Sequence, residues 1–123
     1  AAQESIAYQV ADLVRAMEAD TGLQLASLKA DGGASRDHFL MQFQADIIGC
    51  RVRRPAIRET TALGAAYLAG LAVGVWKDRD ELRSLWNCEI EYSPAMEPAQ
   101  REKLLRQWHR AVQRSLAWAE DEE

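Results

Sequence analysis

Cysteine and histidine are scarce in this chain of 123 residues, with two of each. Cys50 and Cys88 form no CxxC pair and stand at no ligand spacing from a histidine. That argues against a zinc ribbon or a disulfide-stapled fold and suits a reducing cytoplasm. His38 and His109 are equally isolated, so no metal ligand and no histidine-centred catalysis is expected of them. Aromatic residues make up 7% and the net charge is −4. A chain of that balance lacks the electrostatic footprint of a nucleic-acid or anionic-membrane binder. No apolar run reaches the roughly 20 residues of a membrane span. The most apolar stretch, Ala62 to Trp76, predicts a buried helix instead. There is no basic, apolar, small-residue leader and no initiating Met, so Ala1-Ala2-Gln3-Glu4 reads as a cut into a longer polypeptide.

What is present is a chain 48% hydrophobic, enough for one core. Ile6, Val10, Leu13, Val14 and Met17 make the stripe of an amphipathic helix, which Gly22 is placed to stop. Leu23 to Ala30 carries apolar groups on both faces, as in a covered strand. Residues 36 to 48 predict a second helix, N-capped by Ser35, with Phe39, Phe43 and Ile47 on its core side and Gly49 at its end. Arg51 to Pro55 reads as a short strand, since Pro55 holds its predecessor extended. The third helix starts at Thr60 or Thr61. Its small ridge of Ala62, Ala66, Gly70 and Gly74 beside Leu63, Tyr67, Leu71 and Val75 predicts a central position, where another backbone comes close. A short helix anchored by Leu82 and Leu85 follows, then an edge strand at Glu89 to Tyr92. Pro98 suits the first turn of a last helix, which carries Leu104, Leu105, Trp108, Val112 and Leu116 on one face. The order predicts an α/β fold.

The chemically suggestive run is Asp31-Gly32-Gly33-Ala34-Ser35. A strand that breaks at paired glycines and restarts as a helix offers bare N–H groups and a positive dipole end to an anion. Glycines at that turn have two readings, a tight connection or close approach of backbone to a nucleotide.

The longer wording separates them. Glu4-Ser5-Ile6-Ala7-Tyr8-Gln9, the Asp31 to Ser35 run, Phe39-Leu40-Met41-Gln42-Phe43-Gln44-Ala45-Asp46-Ile47, and Glu59 through Ala72 resemble, in order and spacing, the carboxy-terminal ATP-binding lobe of glycerol kinases. These belong to the wider FGGY family of carbohydrate kinases. The resemblance implies a partial ribonuclease H-like, actin-like ATPase lobe, with residues 1–94 as the nucleotide-binding piece and 95–123 as a C-terminal helix packed on it. It implies a parent that uses ATP and Mg²⁺ to phosphorylate glycerol in the cytoplasm and that assembles as a homo-oligomer. Sister kinases for xylulose or gluconate, and a noncatalytic actin-like interaction module, are the alternatives.

By the same resemblance Gly32, Gly33, Ala34 and Asp37 are the nucleotide contacts. Asp37 stands where many relatives carry an Asn facing adenine. A carboxylate only accepts hydrogen bonds where the amide also donates, so Asp37 is the poorer reader of the base and doubles as a favourable acid in the first turn of a helix. Asp31 ends a strand where carboxylates hold Mg²⁺ in phosphoryl transfer, but one carboxylate is a weak signal and no metal ligand is assigned. The Arg51, Arg53, Arg54, Arg58 cluster and the Arg106, Arg110, Arg114 stripe read as solvated faces, and Trp76, Trp86, Trp108 and Trp118 as packing groups. In the resembled family the catalytic Asp lies in a part of the chain outside these residues, so binding without catalysis is expected here.

Overall fold

The computed structural model describes residues 1–56, 60–85 and 87–116. Arg58, Trp86 and Trp118 lie outside the described residues. Helix α1 spans Ala2–Thr21 and stops at Gly22, whose φ of 68° is left-handed and whose N–H bonds the Glu18 carbonyl. Glycine adopts that conformation without a Cβ penalty, which is why the sequence marks the stop.

The strand that follows is shorter than its apolar pattern predicts. Strand β1 covers only Ser27–Lys29, because that is where it meets β2, Arg51–Pro55, in parallel register from Ser27 on Arg51 to Lys29 on Arg53. Before it, Leu23 is 71% exposed, and the Leu25 N–H is held by the Glu18 carboxylate at 2.7 Å.

Between β1 and β2 the second helix also departs from expectation. Ser35 is not its cap; it sits inside a single 3₁₀ turn, Gly33–Arg36. Helix α2 runs His38–Ile48, and Asp37 is its N-cap, with the carboxylate accepting from the Leu40 N–H at 3.0 Å. The 3₁₀ turn takes in Ser35 and Arg36, the expected cap and first helical residue, and the cap moves to the next residue whose side chain can reach a free amide. Gly49, at φ 75°, closes α2 as its position predicts.

Helix α2 is the centre of the protein. Leu40, Met41, Phe43, Ala45 and Ile47 are buried, and they share a core with Ala7 and Ala11 of α1, with Val52, and with Tyr92 and Leu105 further along. The alanines of α1 let the two helices approach closely. The buried Gln44 amide is satisfied by the Ala7 carbonyl at 3.2 Å, as an interior polar group must be. Phe39, expected on the core side, is 53% exposed and stacks on Phe43 at 5.9 Å. It lies at the edge of the α2 face, where a four-residue step has drifted off the core.

Helix α3, Thr60–Ala72, does not lie centrally. Gly70 is its one buried residue among those described, and Leu68 is 69% exposed. Its uniformly apolar surface gives periodicity no side to choose, so the sequence signals burial without saying against what. Beyond it Trp76 folds back: its ring meets Tyr67 edge-on at 5.3 Å, and a Cβ at Gly70 would stand 1.7 Å from the indole. Accordingly Ala66→Leu, on an exposed position, is expected to move stability by less than about 0.5 kcal/mol. Gly70→Ala should instead expel the Trp76 ring, red-shifting tryptophan emission in a way that a Trp76→Phe background abolishes. An unshifted spectrum would show that the indole does not rest on Gly70.

Helix α4, Arg79–Ser84, is N-capped by Asp78; of its two expected anchors Leu82 is half-buried and Leu85 is 41% exposed. Strand β3, Cys88–Tyr92, pairs antiparallel with β2, making β2 the central strand of a three-stranded sheet. Asp46 then pins the turn into α5: its Oδ1 accepts from the Ala95 and Met96 N–H groups at 2.7 and 3.2 Å. Helix α5, Pro98–Ser115, has Pro98 in its first turn. Its Arg101 Nε donates to the Asp46 carbonyl at 2.6 Å, Leu105 enters the core, and Trp108 stacks on Tyr8 at 5.3 Å.

The α5 contact with α1 includes a charged lock. Asp12 accepts from Trp108 Nε1 at 2.7 Å and pairs with His109 Nε2 at 2.9 Å. Burial raises the Asp12 pKa, but the hydrogen bonds from Trp108 and His109 and the charges of His109 and Arg15 outweigh it and hold the carboxyl below its ordinary 3.8. A carboxylate with a depressed folded pKa stabilises above its unfolded pKa, and that contribution vanishes as pH falls through the folded value. The stability gap between the wild type and Asp12→Asn should therefore be open at neutrality and close below about pH 4. Denaturant midpoints across that range test it; a gap that persists in acid would mean that Asp12 acts by shape alone.

Candidate functional site

The glycine turn lines a cleft of about 390 Å³. Four stretches line it: Asp31, Gly32, Gly33, Ser35 and Arg36 around the glycine turn, Arg54 and Pro55 of β2, Thr60 and Thr61 at the start of α3, and Glu89 of β3. Gly32 has φ 89° and ψ −177°, a region that residues with a Cβ essentially do not occupy. The turn is closed on itself. The Gly32 carbonyl accepts from both the Ser35 N–H at 3.2 Å and the Ser35 hydroxyl at 2.7 Å, and the Gly32 N–H is held by the Asp31 carboxylate at 2.5 Å. Among the described residues no side chain lies within 4 Å of where a Cβ would stand on either glycine. Crowding among the described residues thus does not demand the glycines; backbone geometry requires Gly32, and the described residues leave open space in front of Gly33.

Of the residues singled out in the sequence, Gly32 and Gly33 line this cleft. Ala34 is exposed in the 3₁₀ turn and Asp37 follows it; neither forms part of the cavity wall among the described residues. The Asp37 carboxylate is engaged by the Leu40 N–H and by the Gln3 side-chain amide.

The arginines are where sequence reasoning missed most. Arg54 is no solvated side chain: it is 12% exposed, pairs with Glu89 at 3.1 Å and donates to the Ser35 carbonyl at 3.3 Å. Arg51 and Arg53 both reach Glu91, at 3.5 and 3.1 Å. A register signal was available for Arg51 and Arg53 alone, because residues two apart on a strand share a face and can meet one partner, here Glu91, on the neighbouring strand. His38, with no metal spacing, bonds the Tyr92 hydroxyl through Nδ1 at 2.7 Å. Cys50 lies away from the cleft, and burial, with the Glu18 charge, pushes its thiol pKa up.

The sequence profile of the FGGY family of carbohydrate kinases, C-terminal domain, matches residues 1–73. The chain belongs to that family. Within the family it is similar to the glycerol kinase of Caldanaerobacter subterraneus subsp. tengcongensis, 58% identical over 118 residues, which is 96% of this chain and 24% of that protein. It is equally similar to the glycerol kinase of Brachyspira hyodysenteriae, 59% identical over 119 residues, 97% of this chain and 24% of the relative. The chain thus spans about a quarter of the length of these relatives. Among solved structures, Plasmodium falciparum glycerol kinase with ADP superposes with a TM-score of 0.85 at 35% identity, over 93% of this chain and 23% of the other. Gluconate kinase from Lactobacillus acidophilus shares the fold at a TM-score of 0.77 and 21% identity, over 94% of this chain and 23% of the other. The α/β architecture is therefore part of the actin-like lobe of an FGGY kinase, with a C-terminal helix. Among the described residues no helix is long and apolar enough to cross a membrane.

Proposed function

We propose that this chain is the carboxy-terminal part of a cytoplasmic glycerol kinase and supplies the adenosine side of its ATP site. The observation that carries the reading is the Gly32–Gly33 turn lining a cleft, in a chain similar over nearly its whole length to glycerol kinases, one of them solved with ADP. Identity of 58% to a glycerol kinase over 96% of this chain favours glycerol as the parent's substrate.

In this reading Gly32, Gly33 and Ala34 present backbone to the nucleotide, and Asp37 meets the base as an acceptor only. An ionised carboxylate has about four lone-pair positions, so capping Leu40 and binding Gln3 do not exhaust it. The open approach to Gly33 supports close contact with a ligand that a side chain would obstruct. Among the described residues no group of three His, Cys, Asp or Glu side chains converges, and Asp31 spends one oxygen on Gly32. The donor set does not fit a magnesium site, and Mg²⁺ is assigned to the ATP phosphates and to the rest of the parent. The apolar surface of α3 fits a role as the face against which that remaining chain packs.

Phosphoryl transfer depends on positioning and charge neutralisation, so a segment that only orients adenosine cannot catalyse alone. We expect the 123-residue chain to show no ATP-dependent glycerol phosphorylation, and the full-length parent to phosphorylate glycerol in preference to gluconate or xylulose. A coupled assay on both proteins, purified from a host lacking its own glycerol kinase, decides it. Turnover by the short chain, or a parent that prefers another sugar, would overturn the reading.

A further inference from the structure

We propose that Arg54 is a positioning residue for the nucleotide, acting by holding the glycine turn in place rather than by touching phosphate. The proposal rests on the assignment of the Gly32–Gly33 cleft to ATP. A chain of contacts runs through the wall of that cleft. The Gly32 carbonyl is gripped by the Ser35 N–H and hydroxyl, the Ser35 carbonyl by Arg54 Nη1 at 3.3 Å, and Arg54 Nη2 by the Glu89 carboxylate at 3.1 Å. These residues come from three separate elements: the 3₁₀ turn, the central strand β2 and the edge strand β3.

Three physical points favour positioning over charge. First, the Arg54 charge is already matched by Glu89, so its field at the cleft is largely cancelled. Second, the guanidinium is planar and presents donors in a fixed fork, which lets one side chain span two acceptors on different elements; an ammonium on a flexible stem does so poorly. Third, its Nε is buried without a hydrogen-bond partner among the described residues, so the two Nη contacts are what orient the head group there. The turn they brace is hinged on Gly32, whose backbone is free to adopt many conformations, and it faces open space among the described residues, so it keeps one shape only where contacts such as these hold it.

The test uses the full-length parent with Arg54→Lys, Arg54→Met and Glu89→Gln. Steady-state kinetics give KM for ATP and for glycerol, and calorimetry gives ADP affinity without glycerol. Arg54→Lys keeps the charge and loses the fork, so KM for ATP and the Kd for ADP should both rise about tenfold, as expected when a ligand-bearing backbone is displaced by a fraction of an ångström. KM for glycerol should stay within about twofold. Glu89→Gln removes the ionic tether alone and should give about a threefold rise; it carries the test if the Arg54 variants fail to fold. Unchanged ADP affinity in the folded variants overturns the proposal, as does a parallel rise in both KM values with a falling thermal midpoint, which would make Arg54 merely structural. A wild-type parent that binds ADP but does not phosphorylate glycerol overturns the preceding assignment and leaves Arg54 to be judged by ADP affinity. A wild type that binds no ADP overturns both.

Discussion

Ile47→Ala is expected to destabilise the chain by about 2 to 5 kcal/mol. Ile47 is 1% exposed and is among the largest fully buried side chains. It lies in the last turn of α2, the helix whose buried face meets α1, the sheet and α5. Truncating it removes methylene groups from water-free contact and leaves a cavity that neighbours on several elements cannot all close. Domains of this size have total stabilities of about 5 to 15 kcal/mol, so the loss is a large fraction of the whole. Phe39, 53% exposed on the same helix, is the control: Phe39→Ala should cost far less, although its ring is larger. Denaturant midpoints of the two variants decide the matter, and equal shifts would show that α2 does not face the core as described.

Gly32→Val should have the largest effect on nucleotide binding. With φ at 89° and ψ at −177°, any residue bearing a Cβ carries a backbone penalty of about 1 to 3 kcal/mol, and a β-branched one is among the least tolerant. Among the described residues no side chain lies in the way, so the penalty is conformational and not a clash. The turn can relieve it only by rotating the Gly32 carbonyl out of the grip of Ser35. Because about 1.4 kcal/mol is a factor of ten, ATP affinity in the full-length parent should fall roughly tenfold to a hundredfold. Gly33→Ala separates the two causes. Its φ is not left-handed and the space beside it is open, so the fold should tolerate it, and any loss of ATP affinity then reports close approach of the nucleotide. Calorimetric titration with ADP and a denaturation curve for each variant provide the check. Unaltered binding in Gly32→Val would remove the turn from the nucleotide site.

Local signals were legible in the sequence wherever one residue's own chemistry settles the outcome. Gly22 and Gly49 stop helices because a left-handed residue is cheap only without a Cβ, Pro98 opens α5 because its missing N–H is not needed there, Pro55 holds Arg54 extended, and Glu89–Tyr92 alternates as a strand does. The glycine turn and the words around it pointed to the FGGY kinases, and the family match bears that out. Partner-dependent features were not legible. Ser35 and Asp37 can each cap a helix by chemistry, and only the 3₁₀ turn between them gave the cap to Asp37. The apolar Leu23–Ala26 segment could extend as strand, yet β1 begins where β2 is present to pair with it. Helix α3 is apolar on every side, and which side is covered depends on chain packed against it. Arg54 looks in the sequence like any surface arginine of an acidic protein. Its burial against Glu89 and the Ser35 carbonyl comes from bringing β2, β3 and the glycine turn together, since long-range pairing leaves no periodic mark on the chain.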